Sequence, residues 1–429
     1  MVIAILLIGL IVCIIASIPI AFSLGISAFT SLLSWGHIPL KLVVQRMFTG
    51  VDSFPLMAIP FFMLAGELMM TGGILRGLFR FSDALVGHIR GGLGHVNVVA
   101  SMFFAGITGS AVADTAALGP MEIGMMTEAG YDVDYSAAIT AASATIGPII
   151  PPSIPMVIYA VAAGNVSIAG LFLAGAVPGV LIGVGMMIFN YFTALRRKYP
   201  RRETPIGLRQ FLGIFVKAIP VLMMPIIILG GILSGVFTPT EAAAVAVGYA
   251  FLVGLFVTRE LDFKGLVQAL LRAGVSTGVV LFVVATANIF SWILATQQVP
   301  QLVANFMLSI STNPLIFLLL VNIFLLIVGC FMDTTAALII LVPILAPIAG
   351  QLGIHPLHFG LVVALNLVIG LATPPLGLCL FVACGIGKIS LERISREIWP
   401  FILIEIGVLF LVTYVPAIPM ALPKLLGYY

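Results

Sequence analysis

Two stretches of this chain repeat each other. Residues 106–121 read GITGSAVADTAALGPM, small and apolar with one acid, Asp114, and residues 329–341 read GCFMDTTAALIIL. At a spacing of 220, Gly109 and Gly329, Thr115 and Thr335, and the Ala-Ala-Leu that follows each threonine coincide, while Asp114 faces Thr334 and Ala113 faces Asp333. A second pair, IGPIIPPSIP at 146–155 and IGLATPPLGL at 369–378, aligns at a spacing of 223, which implies three residues inserted between the two pairs. Matching apolar segments interrupted by Gly and Pro in two halves of one chain point to a duplicated membrane transporter with its binding site at the interruptions.

Composition sets the solvent. Of 429 residues 61% are hydrophobic and only 8% charged, against about 25% charged in soluble domains. Apolar runs of the ~20 residues needed to cross about 30 Å of hydrocarbon recur throughout. The prediction is an all-α polytopic membrane protein embedded in a lipid bilayer, without a separate soluble domain. The N-terminus lacks a basic n-region and a cleavage site and reads as a mature first span. The net charge of +3 is spread among loops and gives no footing for nucleic acid. Cys13, Cys330, Cys379 and Cys384 lie in apolar runs without metal spacing and read as small buried hydrophobes.

Residues 1–205 read as the first repeat and 206–429 as the second. The first holds two short spans turning near 18–25, an amphipathic piece at 39–50, a span at 55–72 and a basic amphipathic piece at 73–88. A hairpin at 91–128, a span at 136–164 broken at 147–155, and a span at 170–195 complete it. In the second, a linker with Arg209 and Lys217 leads to spans at 221–237 and 242–257, an amphipathic piece at 262–272 and a span at 275–295. A hairpin at 314–353, a span at 358–387 broken at 370–377, an amphipathic piece at 389–399 and a last span at 401–420 complete the chain. The hairpins carry their polar and small residues at the tips, 110–115 and 333–335, which suits re-entrant segments facing protein or a wet cavity. Prolines 148, 151, 152 and 155 remove donors and forbid a continuous helix. The total is about ten full spans, two of them broken, plus two re-entrant hairpins.

Five crossings per half is odd, so the halves insert with opposite orientation. Placing the basic run 196–202 in the cytoplasm brings all of the nineteen Lys and Arg inside except Lys41, Arg46 and Lys424, and leaves both termini outside. Hairpins and broken helices then form a transport domain, with the remaining spans as scaffold.

An acid in hydrocarbon costs at least about 2.5–3.5 kcal/mol, so each one needs a reason. Asp114 and Asp333 lie at the tips, where carboxylate, hydroxyl and freed carbonyl oxygens suit a hard cation such as Na⁺; each acid is equally able to cap the helix leaving its tip. The first-half candidates are Gly109, Ser110, Asp114, Thr115, Ser143, Gly147, Pro151 and Ser153. Those of the second half are Gly329, Asp333, Thr334, Thr335, Asn366, Gly370 and Thr373. Ser143 and Asn366 correspond at the 223 spacing, which favours a shared role, although membrane hydroxyls often bond their own helix. Glu67, Glu122, Glu241 and Glu405 have no counterpart; Glu122 and Glu405 read as paired or packed between helices. Half-helices around a cavity offer N–H groups to an anion and carbonyls to cations, so an anion co-transported with Na⁺ is the natural cargo.

The blocks GHIRGGLGHVNVVASMFFAGITGSAVADTAALGPMEI and AASATIGPIIPPSIPMVIYA, with GCFMDTTAALIILVPI and ATPPLG later, resemble the large membrane subunit of tripartite ATP-independent periplasmic (TRAP) transporters over essentially the whole chain. The resemblance implies Na⁺-driven uptake of an organic acid, a C4-dicarboxylate or sialic acid, across the bacterial inner membrane. It also implies an elevator of the ion-transporter-superfamily kind, a small four-helix membrane subunit and a periplasmic substrate-binding protein. It implies no organic cofactor and no enzymatic activity. A stand-alone Na⁺/dicarboxylate carrier is the close rival. An aspartyl hydrolase using Asp114 and Asp333 lacks the Gly-x-Gly-Asp pattern and leaves the duplication unexplained.

Overall fold

The computed structural model describes residues 2–36, 38–164, 166–201, 207–310 and 312–428, which form helices and loops with no strand among them. The first half runs α1 (Val2–Ile15), α2 (Ile20–Trp35), α3 (Lys41–Val51), α4 (Ala58–Thr71), α5 (Ile74–Val86), α6 (Gly92–Thr108), α7 (Ala111–Glu128), α8 (Val133–Ala144), α9 (Ile154–Ala163) and α10 (Ile168–Arg196). The second runs α11 (Leu208–Leu233), α12 (Pro239–Leu252), α13 (Phe263–Thr296), α14 (Val299–Ile310), α15 (Pro314–Phe331), α16 (Thr334–Gln351), α17 (Pro356–Gly370), α18 (Leu378–Gly387), α19 (Leu391–Tyr414) and α20 (Ala417–Leu425). Among the described residues eight helices are long and apolar enough to cross a membrane by length and composition.

Several boundaries differ from the sequence reading. The first turn falls at 16–19, where Ser17 takes a positive φ and Pro19 precedes α2. Gly25 stays helical and lets α2 approach Thr286 of α13. Arg209 and Lys217 belong to a helix, α11, rather than a linker. The pieces at 262–272 and 275–295 are one helix: Asp262 caps it by accepting from the Gly265 N–H at 2.7 Å, and no proline interrupts residues 263–296. α19 likewise runs through Pro400 and ends at Tyr414. The short helices α14 and α20 have no counterpart in the sequence reading.

The packing falls into two groups. α1, α2, α4, α12 and α13 pack together, with α3 on α13 and α11 on α12. In the other group α7 packs on α8 and α18, α9 on α16, α15 and α16 on α17, and α19 on α8 and α10. α5, between α11 and α6, and α14, between α13 and α16, join the groups. The long helices α10 and α19 thus pack mainly within the group that holds the hairpins and the broken helices.

The two halves also share a register that the 220 spacing obscures. The starts Ala111 and Thr334, the ends Glu128 and Gln351, and the next starts Val133 and Pro356 are each 223 apart. At this spacing no insertion is needed between the motifs, and the Thr-Ala-Ala-Leu match lies almost one helical turn out of phase. In runs of small residues identity is cheap, whereas a helix start is fixed by its cap. At the spacing of the helix starts, Ser110 faces Asp333 at the tips, a pair the identity match left unaligned.

Candidate functional site

A cavity of about 360 Å³ lies where the two packing groups meet. Its wall includes the first residues of four helices: Ala111 and Val112 of α7, Ile154 and Pro155 of α9, Thr334 and Thr335 of α16, and Leu378 of α18. Gly109, Ser110 and Asp333 come from the tips, Pro148 and Leu371 from the breaks. Met63 of α4 and Val275, Ser276, Val279 and Val280 of α13 close the opposite side. No Lys or Arg among the described residues lines it. Each helix start carries roughly +0.5 of an elementary charge and N–H groups without an intrahelical partner, so four together favour negative charge at that end of the cavity. An adjoining cavity of about 100 Å³ shares Met63, Ser110, Ile154 and Ser276 and leads to Glu67, whose Oε2 lies 4.0 Å from Arg272. The larger cavity of about 540 Å³ beside Tyr159, Pro343 and Phe359 contains no tip residue.

Local chemistry builds these helix starts. At the first tip Gly109 turns the chain with φ +62°, and a Cβ there would stand 2.9 Å from the Pro152 carbonyl oxygen; only glycine suits both demands. Ser110 then caps α7, accepting from the Ala113 N–H at 3.5 Å. At the second tip Asp333 caps α16, accepting from the Thr335 N–H at 3.1 Å. In the first break Ser153 donates to the Pro148 carbonyl and accepts from the Met156 N–H at 3.3 Å. No side chain caps α18, which starts after Gly377 at φ +59°.

The other candidates have different places. Asp114 is fully buried and stands against the first break, where a Cβ on Gly147 would lie 2.2 Å from its Oδ2. Thr115 donates to the Ala111 carbonyl at 2.9 Å and Thr373 to the Ile369 carbonyl at 2.8 Å, both within their own helical turn. Gly370 touches Gly329 backbone to backbone. Pro151 lies in the break loop, outside the cavity wall. Neither Ser143 nor Asn366 lines the cavity. Each bonds an asparagine on the first arm of its hairpin: Ser143 donates to Asn97 at 2.7 Å, and Asn366 donates to Asn322 at 2.8 Å. They do share a role, as fasteners between broken helix and hairpin.

Asn97 and Asn322, with Met63 and Ser276, escaped the sequence reading; none stands in a duplicated motif, and their relevance arises from packing. The acids Glu122 and Glu405 are held between helices as read: Asn97 donates to Glu122 at 2.8 Å, and Thr145 donates to Glu405. Part of the basic run also fastens the structure. Arg197 bonds Asp132 at 3.0 Å and Glu397 at 2.8 Å, while Tyr199, its phenol pushed up to about 12 chiefly by burial, donates to Asp132 at 2.7 Å.

Long apolar helices around a cavity made of interrupted ones define a membrane-integral transporter with several spans, a conclusion the comparisons with known proteins make specific. The family profile of the tripartite ATP-independent periplasmic transporter, DctM component, matches residues 7–418. The chain belongs to that family and is a large permease subunit. It is 43% identical to the sialic acid TRAP transporter large permease protein SiaM of Vibrio cholerae, covering 96% of each chain. It is also 43% identical to the C4-dicarboxylate large permease protein DctM of Pseudomonas aeruginosa, covering 94% of each. The isethionate TRAP permease protein DctMQ of Oleidesulfovibrio alaskensis is 41% identical, with 64% of its length covered. Among solved structures the YdaH transporter of Alcanivorax borkumensis matches with a TM-score of 0.63 over 87% of this chain and 88% of its own, at 14% identity, a likeness of fold.

Proposed function

We propose that this subunit takes up a small organic anion, of the sialic acid or C4-dicarboxylate class, through the cavity between the hairpin tips. The observation that carries this reading is the convergence of four helix starts on a space without a basic side chain among the described residues of its wall. The named cargoes of the relatives are carboxylates and a sulfonate, anions that accept several N–H bonds at once. A volume of about 360 Å³ falls within the roughly 300–1,000 Å³ of small-molecule sites.

Coupling to Na⁺ belongs to the same proposal, with the ions held beside Asp114 at the first break and Asp333 at the second tip. Inward movement of one net charge through 100 mV supplies about 2.3 kcal/mol, roughly 50-fold accumulation. Ten spans and two hairpins in an inverted repeat, with both termini periplasmic, is the topology proposed. α6–α10 and α15–α20 would slide as one elevator body, α10 and α19 included, against α1–α4 and α11–α13, with α5 and α14 as connecting arms. A small membrane subunit and a periplasmic binding protein complete the transporter.

The test is uptake into proteoliposomes containing this chain, its small subunit and the cognate receptor, with and without an inward Na⁺ gradient. Uptake that requires both receptor and gradient, and that falls in Asp333→Asn and Asp114→Asn, is expected. Full uptake by this chain alone would restore the stand-alone carrier, which family membership disfavours. Undiminished Na⁺ dependence in both variants would leave the two acids as structural groups.

A further inference from the structure

Sharing no residue with the tip cavity, another cavity of about 340 Å³ opens between α5 and α11, lined by Gly77, Arg80, Gln210, Gly213, Ile214 and Lys217. Gln210, Gly213, Ile214 and Lys217 follow the i, i+3, i+4, i+7 pattern and so share one stripe of α11, while Gly77 and Arg80 are one turn apart on α5. Every charged group in the wall is basic, and no carboxylate among the described residues lines it. Arg80 and Lys217 form no ion pair with any described residue. Their neighbour Arg76, one turn earlier on α5, by contrast has a carboxylate partner, Glu260, at 3.6 Å on the surface. The glycines leave the floor open, so two cations and an amide face a space large enough for a phosphate and its substituents. Beside it, α11 exposes Leu208, Leu212, Phe215, Val216 and Ile219. Phe81 packs on Phe211 and Phe215, with ring centroids 6.3 and 5.9 Å apart, and holds the two helices together.

We propose that this cavity binds the phosphate headgroup of an anionic phospholipid, with the acyl chains along the apolar side of α11. A phosphate diester supplies negative charge to Arg80 and Lys217, which no carboxylate among the described residues pairs, and accepts from Gln210; the apolar residues alongside are what distinguishes a lipid from free phosphate. Basic pockets between membrane helices on the cytoplasmic side bind such headgroups, and the placement rests on the proposed topology. α5 is the covalent connection between the group holding α4 and the hairpin that begins with α6. A headgroup held jointly by Arg80 on that arm and Lys217 on α11 fastens the arm to its neighbour and so ties the rate of movement to lipid charge.

Native mass spectrometry of the purified complex with its small subunit tests the binding without requiring transport, so it can fail or succeed independently of the uptake reading. The probes are phosphatidylglycerol and phosphatidylcholine, with the Arg80→Gln/Lys217→Gln variant checked for an unchanged melting temperature. Expected is one phosphatidylglycerol retained at least about tenfold better than phosphatidylcholine, with the preference lost in the folded variant and undisturbed by millimolar inorganic phosphate or glycerophosphate. The same variant in phosphatidylglycerol vesicles then shows the uptake rate of wild type in phosphatidylcholine. Competition by inorganic phosphate would overturn the lipid assignment in favour of a soluble phosphate ligand. Equal retention of both lipids, or of phosphatidylglycerol by wild type and variant, would overturn the site, as would a cross-link from Lys217 to a carboxylate of the small subunit in the lipid-loaded complex.

Discussion

At the second break Gly370 rests on Gly329, and a Cβ on it would stand 2.3 Å from the Gly329 carbonyl carbon. At the first break its counterpart Gly147 rests on the Asp114 carboxylate instead, with a Cβ falling 2.2 Å from Oδ2. The acids have changed places as well. In the second half the acid is the cap at the tip, Asp333, and Ala337 stands where the first half has Asp114. In the first half the cap is the neutral Ser110, and the acid lies one turn inside. The two halves keep one spacing of helix starts but carry the charge at different positions, so the proposed cation sites need not use the same atoms in both.

The comparison can be broken most forcefully at its glycines. Gly370→Ala drives a methyl into backbone that cannot rotate away, and should cost about 3 kcal/mol or more; thermal unfolding of the purified complex should show a large loss or no folded protein. Gly147→Ala meets a side chain that can move, and should cost about 1–2 kcal/mol. If the carboxylate is the obstacle, Asp114→Ala in the same chain removes part of that loss, and the pair departs from additivity. Equal penalties at both glycines would show that the breaks are packed alike after all.

The fasteners give intermediate effects. Asn366→Ala leaves the buried Asn322 amide without its donor, and Ser143→Ala does the same to Asn97; each should lower stability by about 1–3 kcal/mol, with little change in apparent affinity for Na⁺. A shift in Na⁺ affinity without loss of stability would return these residues to the proposed ion sites.

Much of this plan was legible in the chain. Small residues and prolines mark where helices must stop, so both hairpins and both breaks could be read from composition within short windows. The register at the tips could not, because alanines and threonines match by identity in several frames, while the helix start depends on a single cap. The extra turns in α11, α13 and α19 were hidden for a related reason: polar residues at a membrane border look like a linker until a helix is seen to run through them. The opposite wall of the cavity, Met63 and Ser276, was invisible because it depends on which helices meet.

The caps offer the finest distinction. Asp333→Ala should cost about 1 kcal/mol as a lost N-cap, and Asp333→Asn almost nothing, since Asn caps as well as Asp. Ser110→Ala, removing a bond already stretched to 3.5 Å, should cost about 0.5 kcal/mol. A stability loss in Asp333→Asn as large as in Asp333→Ala would show that the charge itself holds the second tip.

The most direct test of the central claim is a structure of the reconstituted transporter with its organic acid bound. The acid group should lie in the cavity between Ser110 and Asp333, within hydrogen-bond distance of N–H groups at the starts of α7 and α16, with Met63 and Ser276 on its other side. An acid group held instead by a Lys or Arg side chain, or lodged beside Tyr159 and Phe359, would contradict it.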